Sequence, residues 1–314
     1  MTSAPARGVG SRPRASWQRL DARYSPYLFI APFFVLFGLT GLFPLAYTAY
    51  VSLFDWELGA DSTPFVGLDN YAALLADDRF WNALLNTVSI FLLSTGPQLV
   101  AAVLLAALLN TALRGRTAWR MGVLLPYAAS LVALTIIFAD LFGPRYGLVN
   151  DVLEFLGLSR VDWQSSRWWS HVAIAAMVDW RWTGYNALIV LAAMQAIPQD
   201  VREAAVVDGA GRVRRFVSVT LPVLRPTLVF VVVTSTIGGL QIFTEPKLFA
   251  PAGSSGGGAT GQYQTVVLYL YQSAFEGFDL GYASALAWVL FLVVVVVAGV
   301  NFLLTRRVPG TGER

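Results

Sequence analysis

Six long apolar stretches limit this sequence to folds built from bilayer-spanning helices. An α-helix rises 1.5 Å per residue, so about 20 residues cross the roughly 30 Å of hydrocarbon in a bilayer. We therefore predict an all-α integral membrane protein with six transmembrane helices. The six stretches lie near residues 27–54, 82–110, 119–142, 170–196, 224–249 and 280–304.

The composition agrees with this class. Of the 314 residues, 56% are hydrophobic and 13% are charged, and the mean hydropathy is +0.59. Soluble domains carry about 25% charged residues. The first apolar stretch is longer than the core of a secretory signal and has no small-residue cleavage site at its end, so we interpret it as a retained helix.

Cysteine and histidine are too scarce for most kinds of site chemistry. The chain has no cysteine and one histidine, His171. This excludes disulfides, thiol nucleophiles and multi-histidine metal sites, and we predict no catalytic residue, metal site or cofactor in this chain. A lone histidine at the start of a predicted helix is most often a packed or interfacial residue.

The arginines indicate how the helices cross the membrane, because cytoplasmic loops collect basic residues. They cluster in the N-terminal tail, the 111–120 loop, the 198–225 segment and the C-terminal tail. We therefore predict that both termini are cytoplasmic. Since the arginines are spread over four segments, the sequence pI of about 9.3 reflects topology and does not indicate a nucleic-acid partner.

The predicted domain organisation is simple. Residues 1–23, rich in Pro, Gly, Ser and Arg, are expected to form a disordered cytoplasmic tail, residues 24–307 a bundle of transmembrane helices, and residues 308–314 a C-terminal tail. Residues 55–81 are expected to form an acidic outer loop with a short amphipathic segment near 68–81. The glycine-rich run 253–258 is predicted to be a flexible outer loop.

One polar segment, residues 198–222, interrupts the apolar pattern between the fourth and fifth predicted spans. Pro198 suits a first helical position and Gly209 suits a helix end. Pro222 is expected to stop a second helix that begins near Gly211. Two short cytoplasmic helices joined at a glycine are therefore predicted.

The first of these helices has a face of small residues. Its members, at i, i+3, i+4 and i+7, are Val201, Ala204, Ala205 and Asp208. Small side chains admit the close approach of another protein, whereas a helix lying on the membrane surface would bury large apolar residues. The pattern therefore favours a docking surface for a soluble partner over a membrane-surface helix.

The residues of this segment follow the order Glu203-Ala204-Ala205, Asp208-Gly209-Ala210, Phe216 and Leu221-Pro222. This order resembles the cytoplasmic coupling loop of permeases in binding-protein-dependent, ATP-driven importers. The resemblance covers roughly residues 24–307 and extends to the carbohydrate-importing branch, of the maltose and lactose permease type. The stretches similar to that branch are 65–71, 80–81, 86–87, 125–127, 195–198 and 281–285, while 241–246 and 269–271 are similar to permeases for cellobiose-like sugars.

The resemblance implies a complex in the bacterial plasma membrane. Its parts would be this multi-pass chain, a second homologous permease, two ATPase subunits and an extracytoplasmic sugar-binding protein. ATP and Mg²⁺ would bind to the ATPase subunits. The residues agree, because a phosphate-binding loop needs a lysine after a glycine-rich turn, and the only lysine here, Lys247, follows Pro246.

The resemblance also implies which residues couple to the ATPase. Glu203 would hydrogen-bond or ion-pair with the partner, and Gly209 would permit the turn. The alternative for Glu203 is exposure to solvent or a local pair with Arg202 or Arg212. The implied coupling residues are Glu203, Ala204, Ala205, Asp208, Gly209, Ala210, Leu221 and Pro222.

Candidates for a sugar path lie in the third, fourth and fifth predicted spans. Sugars need polar groups for their hydroxyls and aromatic faces for their C–H surfaces. By resemblance to maltose-type permeases, the candidates are Tyr127, Trp180, Arg181, Trp182, Gly184, Gln241 and Glu245.

The candidates also have packing interpretations. Arg181 is equally well explained by an ion pair with Glu245 or Asp140 on a neighbouring helix. The two tryptophans would then serve helix packing or an interfacial belt. The glycine pair 238–239 is as consistent with close helix approach as with a kink near substrate.

The predicted function is the permease subunit of an ATP-driven importer for a di- or oligosaccharide, working by alternating access. A permease for another solute, such as glycerol phosphate or an amino acid, is the alternative. A phosphate substrate would favour several basic residues at the cavity, and only Arg181 and Lys247 lie within or at the edge of spans. A secondary transporter lacks support from inverted repeats, and an enzyme lacks a nucleophile and base.

Overall fold

The computed structural model of this chain describes a largely continuous helical protein. The described residues are 14–111, 114–250, 254 and 256–306. All regular structure among them is helical apart from two isolated bridges, so the all-α prediction is confirmed for this part of the chain. Residues 1–13 and 307–314, which include parts of both predicted tails, lie outside the described residues, as do Gly253 and Ser255 of the glycine run.

The chain divides into two units, Met1–Val51 and Ser52–Arg314. The first consists of α1 (Arg14–Phe37), a π-helical segment (Gly38–Leu42) and α2 (Phe43–Val51). Residues 14–23 were predicted to be disordered, but they form the first turns of α1. Alanine, glutamine, arginine and leucine there favour helix and lead without a break into the apolar stretch.

The second unit contains the remaining helices. In chain order they are α3 (Asp69–Ala76), α4 (Asp78–Leu109), α5 (Arg116–Ala128), α6 (Leu131–Leu141), α7 (Leu148–Phe155), α8 (Arg167–Gln195), α9 (Gln199–Val207), α10 (Arg212–Arg215), α11 (Leu221–Gly239), α12 (Thr244–Leu248), α13 (Val266–Tyr271) and α14 (Leu280–Arg306). Two further π-helical segments, Phe216–Thr220 and Gln272–Glu276, follow α10 and α13.

Length and composition identify four helices in the described residues that can cross a membrane, or five when the bent pair of α5 and α6 counts as one span. The four are Ser25–Val51, Asp78–Leu109, Arg212–Leu248 and Leu280–Leu303. α8, with 29 residues, has the length but carries Asp179 and Arg181 and is not among them. Six spans with cytoplasmic termini therefore remain a prediction.

The predicted third span is not a single straight helix. α5 and α6 meet at an angle of 87° across Ala129 and Ser130. Pro126 lies near the end of α5, where it weakens the helix, and the Ser130 hydroxyl caps α6 by accepting a hydrogen bond from the N–H of Ala133. The sequence therefore encodes both the end of α5 and the start of α6, at the bend between them.

Two of the π-helical segments precede prolines inside apolar helices. Gly38–Leu42 ends two residues before Pro44, and Phe216–Thr220 ends two residues before Pro222. In a regular helix the proline ring collides with the carbonyl four residues earlier, and a π turn widens the helix there. The prediction that Pro222 stops a short helix is therefore wrong, since the helix continues from α10 to Gly239.

α4 and α8 pack together at the centre of the second unit. Small residues on both helices are fully buried, including Ala83 and Ala106 of α4 and Ala173 and Ala187 of α8. In lipid, where hydrophobic burial gives little drive between helices, small residues allow the close packing that holds them together.

The segment 256–265 packs into the protein instead of forming the predicted flexible loop. Gly257 is buried and Tyr263 is fully buried. Asn86 donates a hydrogen bond to the carbonyl of Gln264 (3.1 Å). His171 bonds through its ring nitrogens to the Ser89 hydroxyl and to the Gln262 carbonyl, both at 2.9 Å, so it is a packed residue.

Candidate functional site

A cavity of about 240 Å³ lies between α4, α5, α8 and α11. Its walls are partly aromatic and partly polar. The aromatic and polar side chains that line it are Thr95, Gln98, Tyr127, Trp182, Tyr185, Asn186, Phe230, Thr234 and Ser235. It lies near the middle of the long helices, because Thr95 and Gln98 are near the midpoint of α4.

Three aromatic rings form one wall of the cavity. Tyr127 of α5 stacks on Tyr185 of α8 with ring centroids 4.6 Å apart and planes 21° apart. Trp182 lies edge-on to both rings, at 5.2 Å from Tyr127 and 5.6 Å from Tyr185. Trp182 and Tyr185 are three residues apart, so helical spacing places them on one face.

A buried amide network forms the polar part of the cavity wall. The side-chain nitrogen of Asn186 donates to the Gln98 side-chain oxygen (3.4 Å) and to the Ser235 hydroxyl (3.2 Å). This joins α4, α8 and α11. The Gln98 amide nitrogen has no acceptor among the described residues, which leaves a donor available for a ligand.

Arg181 lies beside this cavity and forms no ion pair with a residue that the structure describes. Its guanidinium is 5.4 Å from the Tyr127 ring centroid and 5.5 Å from that of Trp182, within cation–π range. Among the described residues, no carboxylate comes within 4 Å of it, so the predicted pair with Glu245 or Asp140 does not form here. Glu245 is buried on α12, with 4% exposure.

The structure separates the other predicted path residues from the cavity. Trp180 is 59% exposed and its ring lies near Phe138, at 6.5 Å. Gly184 faces α5, where an added Cβ would lie 1.8 Å from the Val123 carbonyl oxygen. Gln241 is exposed at the break between α11 and α12. Tyr127 and Trp182 are therefore the predicted residues that line the cavity.

The glycine pair of α11 has two different environments. An added Cβ at Gly238 would meet no atom within 4 Å, whereas one at Gly239 would lie 2.7 Å from the Phe91 ring. Both glycines border the cavity. Gly239 thus allows close packing against α4, while Gly238 leaves space open.

Sequence reasoning missed the polar wall. Gln98, Asn186 and Ser235 were not among the candidates for the sugar path. Polar residues inside an apolar span often mark a functional site, and all three positions carry such a residue.

The predicted coupling segment forms a short helix with a glycine stop. Gly209 has φ +73°, its N–H bonds to the Val206 carbonyl (3.0 Å), and the Ala210 N–H bonds to the Ala205 carbonyl (3.1 Å). These bonds make a Schellman motif, whose left-handed position favours glycine. Pro198 lies at the N-cap, one position before the helix begins.

Most of the predicted coupling side chains are open to a partner. Glu203, Ala204 and Asp208 are exposed, while Ala205 is buried. Glu203 accepts a hydrogen bond from the Gln199 amide (2.6 Å) and forms no ion pair with a described residue. Leu221 and Pro222 lie in the continuing helix. The Arg202 side chain is outside the described part.

Beside α10 is an apolar depression of about 870 Å³, lined by residues 104–111 of the chain, by Ala205 and by residues 212–220. The coupling segment and the C-terminal end of α4 therefore form one face of the protein. The N-terminal end of α4 lies at the opposite face, since the helix is 32 residues long.

Comparison with known proteins gives consistent matches. The family described as the binding-protein-dependent transport system inner membrane component matches residues 71–309. The sulfoquinovosyl glycerol transport system permease protein SmoG of Agrobacterium fabrum is 36% identical over 291 residues, covering 92% of this chain and 93% of that protein. The arabinooligosaccharides transport system permease protein AraP of Halalkalibacterium halodurans is 34% identical over 282 residues, covering 89% and 87%.

A solved structure has the same fold. It is a bacterial alginate ABC transporter in complex with alginate pentasaccharide-bound periplasmic protein, and one of its chains matches with a TM-score of 0.79. The identity is 23%, and the match covers 95% of this chain and 99% of that one.

Proposed function

This chain belongs to the family of binding-protein-dependent transport system inner membrane components, and on that basis we propose that it lines the path of a sugar through an ABC importer. It is a multi-pass permease subunit of the inner membrane and not an enzyme, and ATP hydrolysis sits in separate subunits.

The observation that carries this proposal is the cavity between α4, α5, α8 and α11. It combines stacked aromatic rings with a free amide donor and hydroxyl groups at the middle of the membrane helices. Rings pack on the C–H faces of a sugar, and the amide and hydroxyl groups hydrogen-bond to its hydroxyls. Tyr127, Trp182 and Gln98 are the residues that we assign to substrate contact.

The proposed substrate is a di- or oligosaccharide. Relatives that carry sulfoquinovosyl glycerol and arabino-oligosaccharides support a carbohydrate. β-linked sugars of the cellobiose type are the first to test, because residues 241–246 and 269–271 are similar to permeases for such sugars. Charged solutes such as glycerol phosphate or amino acids are not favoured, since one guanidinium, that of Arg181, lies beside the cavity and no other cation in the described part of the chain lines it.

The proposed mechanism is alternating access in a larger complex. A second homologous permease, two ATPase subunits and an extracytoplasmic sugar-binding protein complete the importer. Glu203, Ala204, Asp208 and the Gly209 turn dock on the ATPase at the cytoplasmic face, so the N-terminal end of α4 faces outward. Closure of the ATPase pair then moves the helices that enclose the cavity.

The test compares the two tryptophans of α8. We expect Trp182→Ala to raise the KM for uptake by reconstituted importer about tenfold, the loss expected when a ring worth ~1–2 kcal/mol is removed. Trp180→Ala removes the same side chain from the other side of α8 and should change KM less than about twofold. Thermal unfolding of both variants checks that the fold survives.

Normal uptake by a folded Trp182→Ala importer would contradict the proposal. So would equal losses from the two substitutions, because they would indicate a general packing effect along α8.

A further inference from the structure

A second polar depression lies at the N-terminal end of α4, apart from the cavity. It consists of two adjoining hollows of about 460 and 380 Å³, and Arg79 and Gln272 line both. We call this pair the outer groove. Its other walls come from residues 256–264, from α13 and from the start of α14.

α4 places the outer groove in line with the cavity and the coupling segment. Arg79 and Asn82 line the groove, Thr95 and Gln98 border the cavity, and residues between 104 and 111 line the depression beside α10. At 1.5 Å per residue, the groove and the cavity are about 20 Å apart along the helix. The groove therefore lies on the side of the cavity that is opposite the coupling segment.

Two tyrosine rings in the groove are fixed by hydrogen bonds to one carboxylate, that of Asp77. The hydroxyls of Tyr269 and Tyr282 both donate hydrogen bonds to Asp77 Oδ2. Because Asp77 precedes α4 while the tyrosines belong to α13 and α14, this carboxylate ties three elements together. The rings are thus fixed before any ligand binds, which lowers the entropy cost of binding.

Arg79 supplies an available donor between the two hollows. Its guanidinium lies 5.0 Å from the Tyr269 ring centroid and has no hydrogen-bond acceptor among the described residues. Next to it are side-chain amides, with Gln264 donating to Gln272 and Asn82 donating to the Gly261 carbonyl (2.8 Å). Fixed rings, amides and a guanidinium are the groups that recognise sugar rings and hydroxyls.

The charge of the groove favours a neutral ligand. Asp78, Glu276 and Asp279 line the two hollows together with Arg79. Lys247 lies nearby but pairs with Glu276 at 2.8 Å. A sugar hydroxyl can donate to these carboxylates, whereas a uronic acid would face more carboxylates than available cations.

We infer that the outer groove is a second carbohydrate site, which holds two neighbouring units of a neutral oligosaccharide before the sugar enters the cavity. Each hollow has the volume of a small-molecule site. This inference rests on the proposed function, because it assumes that the sugar binds in the cavity after it leaves the groove. It goes further in naming a new site and in restricting the sugar to the neutral class.

The test uses the importer in nanodiscs without its binding protein, so that any sugar signal comes from the permease and ATPase subunits alone. Saturation-transfer NMR is recorded with cellotriose, xylotriose and maltotriose, and with trigalacturonate as the acidic probe. All variants carry Trp182→Ala, which weakens binding in the cavity. Ser273→Trp fills one hollow, Ala259→Trp fills the other, and Ala72→Trp on the exposed face of α3 is the control.

We expect at least one neutral trisaccharide to give a signal in the Trp182→Ala protein. That signal should fall at least fivefold with Ser273→Trp or Ala259→Trp, stay within about twofold with Ala72→Trp, and be absent for trigalacturonate. A signal that survives both filling substitutions, an equal signal from trigalacturonate, or no signal from any neutral sugar would overturn the inference.

Two further readouts separate this inference from its rivals. If the filling substitutions weaken association of the binding protein but leave the sugar signal unchanged, the groove is a protein contact and the inference fails. The proposed function fails separately, when Trp182→Ala alone transports normally. Even in that case, loss of the sugar signal on filling the groove would still support a carbohydrate site there.

Discussion

Trp180 and Trp182 show that two nearby positions on α8 can have very different surroundings. Successive residues of an α-helix are rotated by about 100°, so residues two apart face nearly opposite directions. Trp182 lines the cavity, whereas Trp180 is exposed beside Phe138. The spacing of two residues already implies that Trp180 and Trp182 face different sides of α8. The prediction that both line one sugar path overlooked this.

The polar wall of the cavity was harder to predict at the residue scale. The hydrogen bonds of Asn186 reach partners 49 and 88 residues away in the sequence. A polar residue in an apolar span indicates a functional or packed position. It does not indicate which two other helices supply the partners, because that depends on how the bundle assembles.

Gly184 provides a prediction about packing. Gly184→Ala should lower the stability of the protein by about 1–3 kcal/mol, because the new Cβ would overlap the Val123 carbonyl and push α5 from α8. Gly238→Ala is the matched control, since a Cβ there meets no atom within 4 Å. Thermal unfolding of the purified proteins measures both. Equal melting temperatures for the two variants would contradict the close contact.

Asp77 provides a prediction about pH. Burial alone would raise its pKa, but hydrogen bonds from Tyr269, Tyr282 and the Arg79 N–H, helped by the Arg79 charge, outweigh burial and hold the pKa below the usual 3.8. A carboxylate with a lowered pKa stabilises the fold above its unfolded pKa, and this contribution is lost as pH falls through the folded pKa.

Asp77→Asn should therefore lower the melting temperature by a few degrees at pH 7, and the gap to the unchanged protein should narrow below about pH 4. Unfolding curves at pH 7, 5 and 3 check this. Asp78→Asn alters the same charge on the next, exposed residue and should have little effect. A gap that does not depend on pH would mean that the charge of Asp77 is unimportant.

At the scale of elements, the coupling segment shows what local rules capture. The end of α9 at Gly209 was predicted correctly, because a helix stop with positive φ is encoded by the glycine itself. The stop at Pro222 was predicted wrongly. Proline is tolerated there because the π-helical segment before it widens the helix, and that adjustment is not visible in residue preferences.

The Gly209 turn can be tested against another glycine of the same segment. Gly209→Ala puts a side chain at φ +73°, a strain of ~1 kcal/mol that should turn Ala210 and the following residues away from the ATPase. Gly211→Ala is the control, because Gly211 has φ −63° and open space around its Cβ position. We expect Gly209→Ala to reduce co-purification of the ATPase and sugar-stimulated ATP hydrolysis, and Gly211→Ala to leave both near normal. Equal behaviour of the two variants would argue against a coupling role for this turn.

At the scale of the whole molecule, α4 contributes residues to the outer groove, to the cavity and to the depression beside α10. The long apolar helices that length and composition identify were predictable because each is encoded by a local run of residues, whereas the count of six spans remains a prediction. The 87° bend between α5 and α6 and the packed segment 256–265 were not predictable, because both depend on partners elsewhere in the chain. α8 carries Asp179 and Arg181 and packs along α4, so the run of residues alone did not settle whether it crosses the membrane.

Membrane topology is the remaining prediction at this scale, and the absence of cysteine makes it directly measurable. Single cysteines at Phe155, Val207 and Ala259, all exposed, report the segments before α8, between α8 and α11, and after α12. If α8 and α11 both cross the membrane, an impermeant maleimide added to intact cells should label Phe155→Cys and Ala259→Cys. It should label Val207→Cys only after permeabilisation, and the unchanged protein should take no label. Labelling of Phe155→Cys and Val207→Cys from the same side would mean that α8 does not cross, and the coupling segment would then need a different partner from a cytoplasmic ATPase.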